Sequence, residues 1–167
     1  MNNLFLSKKI LGLDLIFDKT GVLFIKNLKI LVVADLHLGK SKSMNRTGNF
    51  IPPYDNQETI INLKNVIYRY KPKKIISLGD NFHDNFSILN MDRNYLNDIK
   101  KITQSLRFIW IIGNHDSHLI NKEKIGGEFL RSLNEDNFNF THIKTINKKE
   151  KIFEFSGHYH PKTCIKL

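Results

Sequence analysis

Apolar runs of four to six residues set the rhythm of this chain. Residues 29–34 (KILVVA), 74–78 (KIISL) and 107–112 (RFIWII) are uninterrupted by charge after their first position. That pattern predicts strands covered on both faces. Between the first two, Ile60, Ile61, Leu63, Val66, Ile67 and Tyr70 recur at helical spacing, and Pro72 closes the stretch. Asp55, with Glu58 three residues on, predicts a capping box at its start. Residues 41–54, with Gly48, Pro52 and Pro53, read as a loop. Residues 89–106 read as one helix of weaker periodicity, and residues 123–133 as another, against Gly126 and Gly127. Residues 138–143 alternate as a strand, and residues 152–155 form the last one. The first 28 residues read as short strands, LGLDLIF and VLFI, around a turn at Gly21. Strands alternating with helices through the middle predict an α/β class with a mainly parallel central sheet. Right-handed crossovers then place the strands' carboxyl ends along one edge, where such sheets bind ligands.

Composition narrows the class. A length of 167 residues suits a single domain, 1–167, and 41% hydrophobic with 25% charged residues fits a packed globule. The apolar runs fall far short of the roughly 20 residues of a membrane-crossing helix. The opening MNNLFLSKKILGLDL, broken by Lys8, Lys9 and Asp14, reads as no signal peptide. The single Cys164 allows no intrachain disulfide, so a reducing cytoplasm is expected. A net charge of +10 favours polyanions as partners. The lysines are dispersed, however, and abundant Lys, Asn and Ile are what an A/T-biased coding sequence yields. Charge alone therefore does not decide for nucleic acid.

The strand ends carry the most information. Asp35 and His37 come after the first run, Asp80 and His83 after the second, and Asn114, His115 and Asp116 after the third. His158 and His160 come after the last, and His142 adds a fifth point. One such cluster is a turn or a cap. Five converging by accident is improbable, because buried carboxylates and imidazoles are costly without partners. Divalent metal is the economical explanation: carboxylates neutralise the cation, neutral imidazoles add nitrogen ligands, and an Asn carbonyl adds an uncharged oxygen. The donors exceed what one ion takes. Two ions roughly 3.5–4 Å apart, sharing a carboxylate, would use them all and clamp phosphate oxygens. The absence of a cysteine cluster argues against structural zinc. Neither GxxxxGK[ST] nor GxSxG occurs.

In order, Asp35-Leu36-His37, Gly79-Asp80, Gly113-Asn114-His115-Asp116, His142 and Gly157-His158-Tyr159-His160 resemble the calcineurin-like metallophosphoesterase superfamily. Its pattern is D-x-H, GD, GNH[DE], H and GHxH. More narrowly, VADLHLGK, RTGNFIPP, LGDNFHD, GNHD and GHYHP resemble the bacterial ligase-associated metallophosphoesterases, of DNA damage response endonuclease type. The resemblance implies a four-layer α-β-β-α sandwich and hydrolysis of phosphoesters by water activated between two divalent ions. Manganese is the family's usual metal, with iron, zinc, nickel or cobalt chemically allowed. It further implies a phosphodiesterase acting on DNA, and a functional link to a DNA ligase and a helicase. It assigns Asp35, His37 and His160 to one ion, Asp80 to the bridge, and Asn114, His142 and His158 to the other. His115 falls near the leaving-group oxygen. The family continues past GHxHP with further strands of its second sheet. This sequence has six residues after Pro161, so either a short variant or a truncated chain is expected, with an incomplete second sheet.

Plainer explanations stand beside these. Gly79 and Gly113 allow tight turns and close backbone approach. Asp116 reads as an orienter of a histidine rather than a ligand. His83 is a phosphate contact or a loop residue, and Asp84 a loop or supporting residue. Lys40 and Arg46 contact a phosphate backbone or are merely solvated, and His118 reads as a surface histidine. The same ligands would serve a phosphomonoesterase or nucleotide phosphatase, and the fold could serve as a non-catalytic scaffold.

Overall fold

The computed structural model describes residues 5–135, 137–145 and 153–160. Strands β1 (Phe5–Ile10), β2 (Leu13–Asp18), β3 (Leu23–Ile25) and β4 (Ile30–Val33) form an antiparallel meander. Strands β5 (Lys74–Ser77), β6 (Arg107–Ile111) and β7 (Glu128–Leu130) then add in parallel, completing a seven-stranded sheet in chain order. The sheet expected to be mainly parallel is thus half antiparallel. The connections within the meander are tight turns, such as Leu11–Gly12 with both φ positive, and cannot make a parallel crossover. A second sheet holds β8 (Ser132–Glu135), β9 (Phe138–Thr141) and β10 (Phe153–Ser156) in the order β10-β9-β8. Ile152, expected in the last strand, and Pro161 and Cys164 lie outside the described residues.

The unbroken apolar runs are explained by two cores, one on each face of the large sheet. Leu31, Val33, Ile75, Phe108 and Trp110 point into one, against Ile60, Leu63 and Val66 of α2 (Asp55–Tyr70) and Ile99 and Ile102 of α4 (Arg93–Ser105). Their neighbours Ile30, Val32, Ile76, Ile109 and Ile111 point into the other, against Phe138, Phe140 and Phe155 of the small sheet. The Lys74–Glu135 ion pair adds a polar tie between the sheets. Helices, large sheet and small sheet are three layers of the expected sandwich, and no described helix enters the second core. No described helix is long and apolar enough to cross a membrane.

Four local expectations are corrected. Residues 41–54 are not all loop, because α1 (Lys40–Arg46) forms there. Its start is capped from a distance: Asn56 Oδ1 accepts the Gly39 amide (2.7 Å) and Asp55 Oδ2 the Ser41 amide (2.9 Å). Asp55 is therefore spent on α1. It lies inside α2 rather than before it, and no capping box forms. The helix expected over 89–106 is two, α3 (Ser87–Asn90) and α4, because Met91 turns extended to bury its side chain in the core. Residues 123–133 are not a helix. Gly126 and Gly127 have φ of 70° and 84°, and a Cβ on Gly127 would crowd Trp110 at 2.6 Å. The chain turns there and pairs as β7 with β6.

Candidate metal centre

The loops leaving β4 and β5 keep pairing after their strands end. The amides of Asp35, His37 and Leu38 donate to the carbonyls of Gly79, Asp80 and Asn81 at 3.1, 3.0 and 2.9 Å, and the His83 amide returns to Leu38 at 2.9 Å. This ladder holds a strained backbone. Nine described non-glycine residues have positive φ, and five of them are Asp35, His37, Asp80, His158 and His160. Left-handed backbone costs an L-residue roughly 1–2 kcal/mol. Its concentration at candidate ligands marks a site held in shape by its surroundings.

Three groups of side chains bring potential ligand atoms within 4.8 Å of one another: Asp35, His37 and His160; Asp80, His142 and His158; and His37, His83 and His115. Asp80 and His142 are buried, at 4% and 3% exposure. The His142 Nδ1 lies 2.8 Å from the Leu78 carbonyl, which fixes the proton on Nδ1 and leaves Nε2 facing Asp80 Oδ2 at 3.4 Å. Two glycines make room. A Cβ on Gly79 would overlap the His142 ring, and one on Gly113 would overlap the backbone N and Oδ1 of Asp80.

The electrostatics suit cations. Burial lowers the His37 pKa, with His115 and His83 adding to the effect and Asp80 and Asp35 opposing it. Burial likewise lowers that of His83, helped by His115 and Lys40. Both imidazoles are thus held neutral, the form that binds metal. The Nε2 of His142 and the Nδ1 atoms of His37 and His83 are buried without a hydrogen-bond partner among the described residues. Buried polar atoms are rarely left so. The donor set of carboxylates and neutral imidazoles fits divalent ions.

The other expected residues gather at the same edge with different jobs. His115 is exposed. Its amide donates to Asp80 Oδ1 (3.0 Å) and its Nδ1 lies 3.0 Å from the His83 carbonyl. Asn114, also exposed, precedes it in the turn after β6. His83 belongs to the histidine cluster rather than to a free loop. Asp116 orients no histidine: its carboxylate accepts the Gly113 and Asn81 amides. Asp84 holds Ser43, Ser87 and Arg46, which commits the Arg46 charge to an ion pair. Lys40 opens α1 with its side chain exposed, and His118 is exposed, with its amide on Asn85 Oδ1. Asn81, fully buried between the loops, is the residue that sequence reasoning misses. An asparagine after a strand-end Asp carries no signal that distinguishes it from a turn residue.

Residues 28–166 match the calcineurin-like phosphoesterase family. The fold is similar to that of Pseudomonas putida nuclease MPE, with a TM-score of 0.79 and 19% identity over 94% of this chain and 74% of that one. A protein of unknown function from Aquifex aeolicus gives a TM-score of 0.49 and 16% identity over 73% of this chain and 64% of that one. No curated protein matches the chain.

Proposed function

The chain belongs to the calcineurin-like phosphoesterases, and from that premise we propose that it cleaves phosphodiesters with two divalent ions, manganese foremost, and that its substrate is DNA, cut internally. The coarser activity follows from the family: it is a metal-dependent hydrolase of phosphoester bonds. The observation that carries the finer reading is the pair of ligand groups at one sheet edge, Asp35, His37 and His160 beside Asp80, His142 and His158.

In this reading Asp35, His37 and His160 would hold one ion, Asn114, His142 and His158 would hold the other, and Asp80 would serve both. When bound, the ions neutralise phosphate charge and acidify the attacking water. The chain's own groups do the rest. His115, with its Nδ1–H on the His83 carbonyl, keeps Nε2 for the leaving-group oxygen, and in the imidazolium form that nitrogen carries the second proton and serves as proton donor or phosphate contact. His83, whose ring centroid is 5.5 Å from that of His115, contacts the same phosphate. The ladder between the loops fixes His83, and the bond from the His115 amide to Asp80 Oδ1 fixes His115, before substrate arrives, which limits reorganisation during the reaction. A diester in DNA is favoured by the net charge of +10 and by the fold shared with a nuclease. A functional link to a DNA ligase and a helicase, and a cytoplasmic setting, belong to the same proposal.

Purified chain with manganese should hydrolyse an aryl phosphodiester faster than the matching monoester, and should nick DNA. Asp80→Asn should fall to background on all of these. A monoester preference would make the enzyme a phosphatase, and parent-like activity in Asp80→Asn would overturn the shared-carboxylate assignment.

A further inference from the structure

The loop carrying Asp80 and the turn carrying Asn114 and His115 are joined by two side chains that belong to no ligand group. Asn81 is 0% exposed and Asp116 2%. Asp116 Oδ1 accepts the Gly113 amide at 2.6 Å. Its Oδ2 accepts both the Asn81 backbone amide and the Asn81 side-chain NH2, each at 2.8 Å. The same NH2 also donates to the Ile111 carbonyl at 2.7 Å. Among the described residues the Asn81 Oδ1 meets no donor, so the NH2 carries the amide's contacts. The result is a closed clamp from the end of β6 to the end of β5. It lies one residue from Asp80 on one side and one or two residues from Asn114 and His115 on the other.

We propose that Asn81 and Asp116 are positioning residues, which set the Asp80 carboxylate relative to Asn114 and His115. The inference rests on the metal-dependent reading of the site. Asp80 sits in left-handed backbone with φ of 48°, a conformation its loop abandons unless held. On one side it is held by the ladder to residues 35–38, and on the other by this clamp, above which the His115 amide reaches Asp80 Oδ1. Groups that orient metal ligands typically change metal affinity or activity 10–100-fold when removed. A group that only stabilises the fold leaves the affinity of the folded protein unchanged.

Asn81→Leu keeps the number and branching of the side-chain heavy atoms and removes the NH2. Manganese titration of the metal-free chain by calorimetry, with thermal melting alongside, reads its effect. Thr103→Val on remote α4, which deletes the hydrogen bond from the Thr103 hydroxyl to the Ile125 carbonyl, controls for lost stability. Manganese affinity should fall about 10–100-fold in Asn81→Leu and not in Thr103→Val. The kcat for an aryl diester should fall with KM little changed. Parent-like affinity in Asn81→Leu, or an equal loss in Thr103→Val, overturns the proposal. Should Asn81→Leu not fold, Asp116→Asn is read by the same criteria, since one of its amide positions must turn a donor onto a donor. A parent chain that binds no manganese overturns the metal-dependent reading, and this inference with it.

Discussion

Asp18 ends β2, and its side chain is enclosed against the last turn of α2. It is a device for losing stability in acid. Burial would raise its pKa, but hydrogen bonds from Tyr70, the Thr20 amide and hydroxyl, and Arg69 outweigh that and bring it from 3.8 down to about 2. The folded carboxyl therefore binds a proton less readily than the unfolded one. Its contribution is complete above the unfolded value and drains away as pH falls from about 4 towards 2. At ~1.36 kcal/mol per pH unit the drop is worth about 2 kcal/mol at neutral pH. That is an upper figure, because Arg69 is 39% exposed and solvent screens its share. Asp18→Asn should lower unfolding free energy by ~1–2 kcal/mol at pH 7, with the gap to the parent narrowing at pH 3. Urea unfolding of both metal-free chains at several pH values measures it. A gap as wide at pH 3 as at pH 7, or no gap at pH 7, would refute the assignment.

Chelation should abolish aryl diester hydrolysis, and returned manganese should restore it. A single site at 100 times its dissociation constant should add about 2.7 kcal/mol of stability, read as a concentration-dependent melting temperature. Gly113→Ala should cost about 1–3 kcal/mol and weaken manganese binding, because its Cβ would overlap the Asp80 backbone N and Oδ1; urea midpoints and calorimetry check both. The metal-free chain should lose stability as pH falls below 6.5. The lowered His37 and His83 pKa values leave the folded state less protonated than the unfolded one there. His37→Gln should flatten that slope in urea titrations, and an unchanged slope would exclude His37 as its source.

The ligand-bearing strand ends are legible in the sequence because the physics behind them is local. An apolar run buried on both faces has to end, and a carboxylate or imidazole just past its end has few explanations. Features that depend on partners far along the chain are not legible. Helix α1 has no apolar stripe to announce it, and its caps arrive from Asp55 and Asn56. The same use of Asp55 explains why a sequence-perfect capping box is absent. The stretch 123–133 reads as a helix but supplies β7, because β6 offers a free edge and Gly126 and Gly127 can turn towards it. Asn81 is the sharpest case, since its value lies in a bond to Asp116, 35 residues away. The left-handed backbone of the ligand residues is equally invisible to residue type, because aspartate and histidine tolerate it without requiring it.

Each of the two proposed ion sites draws on both sheets. Asp35 and His37 come from the large sheet and His160 from the small one; Asp80 comes from the large sheet and His142 and His158 from the small one. Bound ions would act as rivets through the seam between the sheets. Thermodynamic linkage makes the effect reciprocal: whatever prises the seam apart weakens the ions by the same free energy with which the ions close it. Apolar side chains that fill the seam, such as Phe140 and Phe155 of the small sheet in one core with Ile76 and Ile109 of the large one, are remote from any phosphate yet then become determinants of metal affinity.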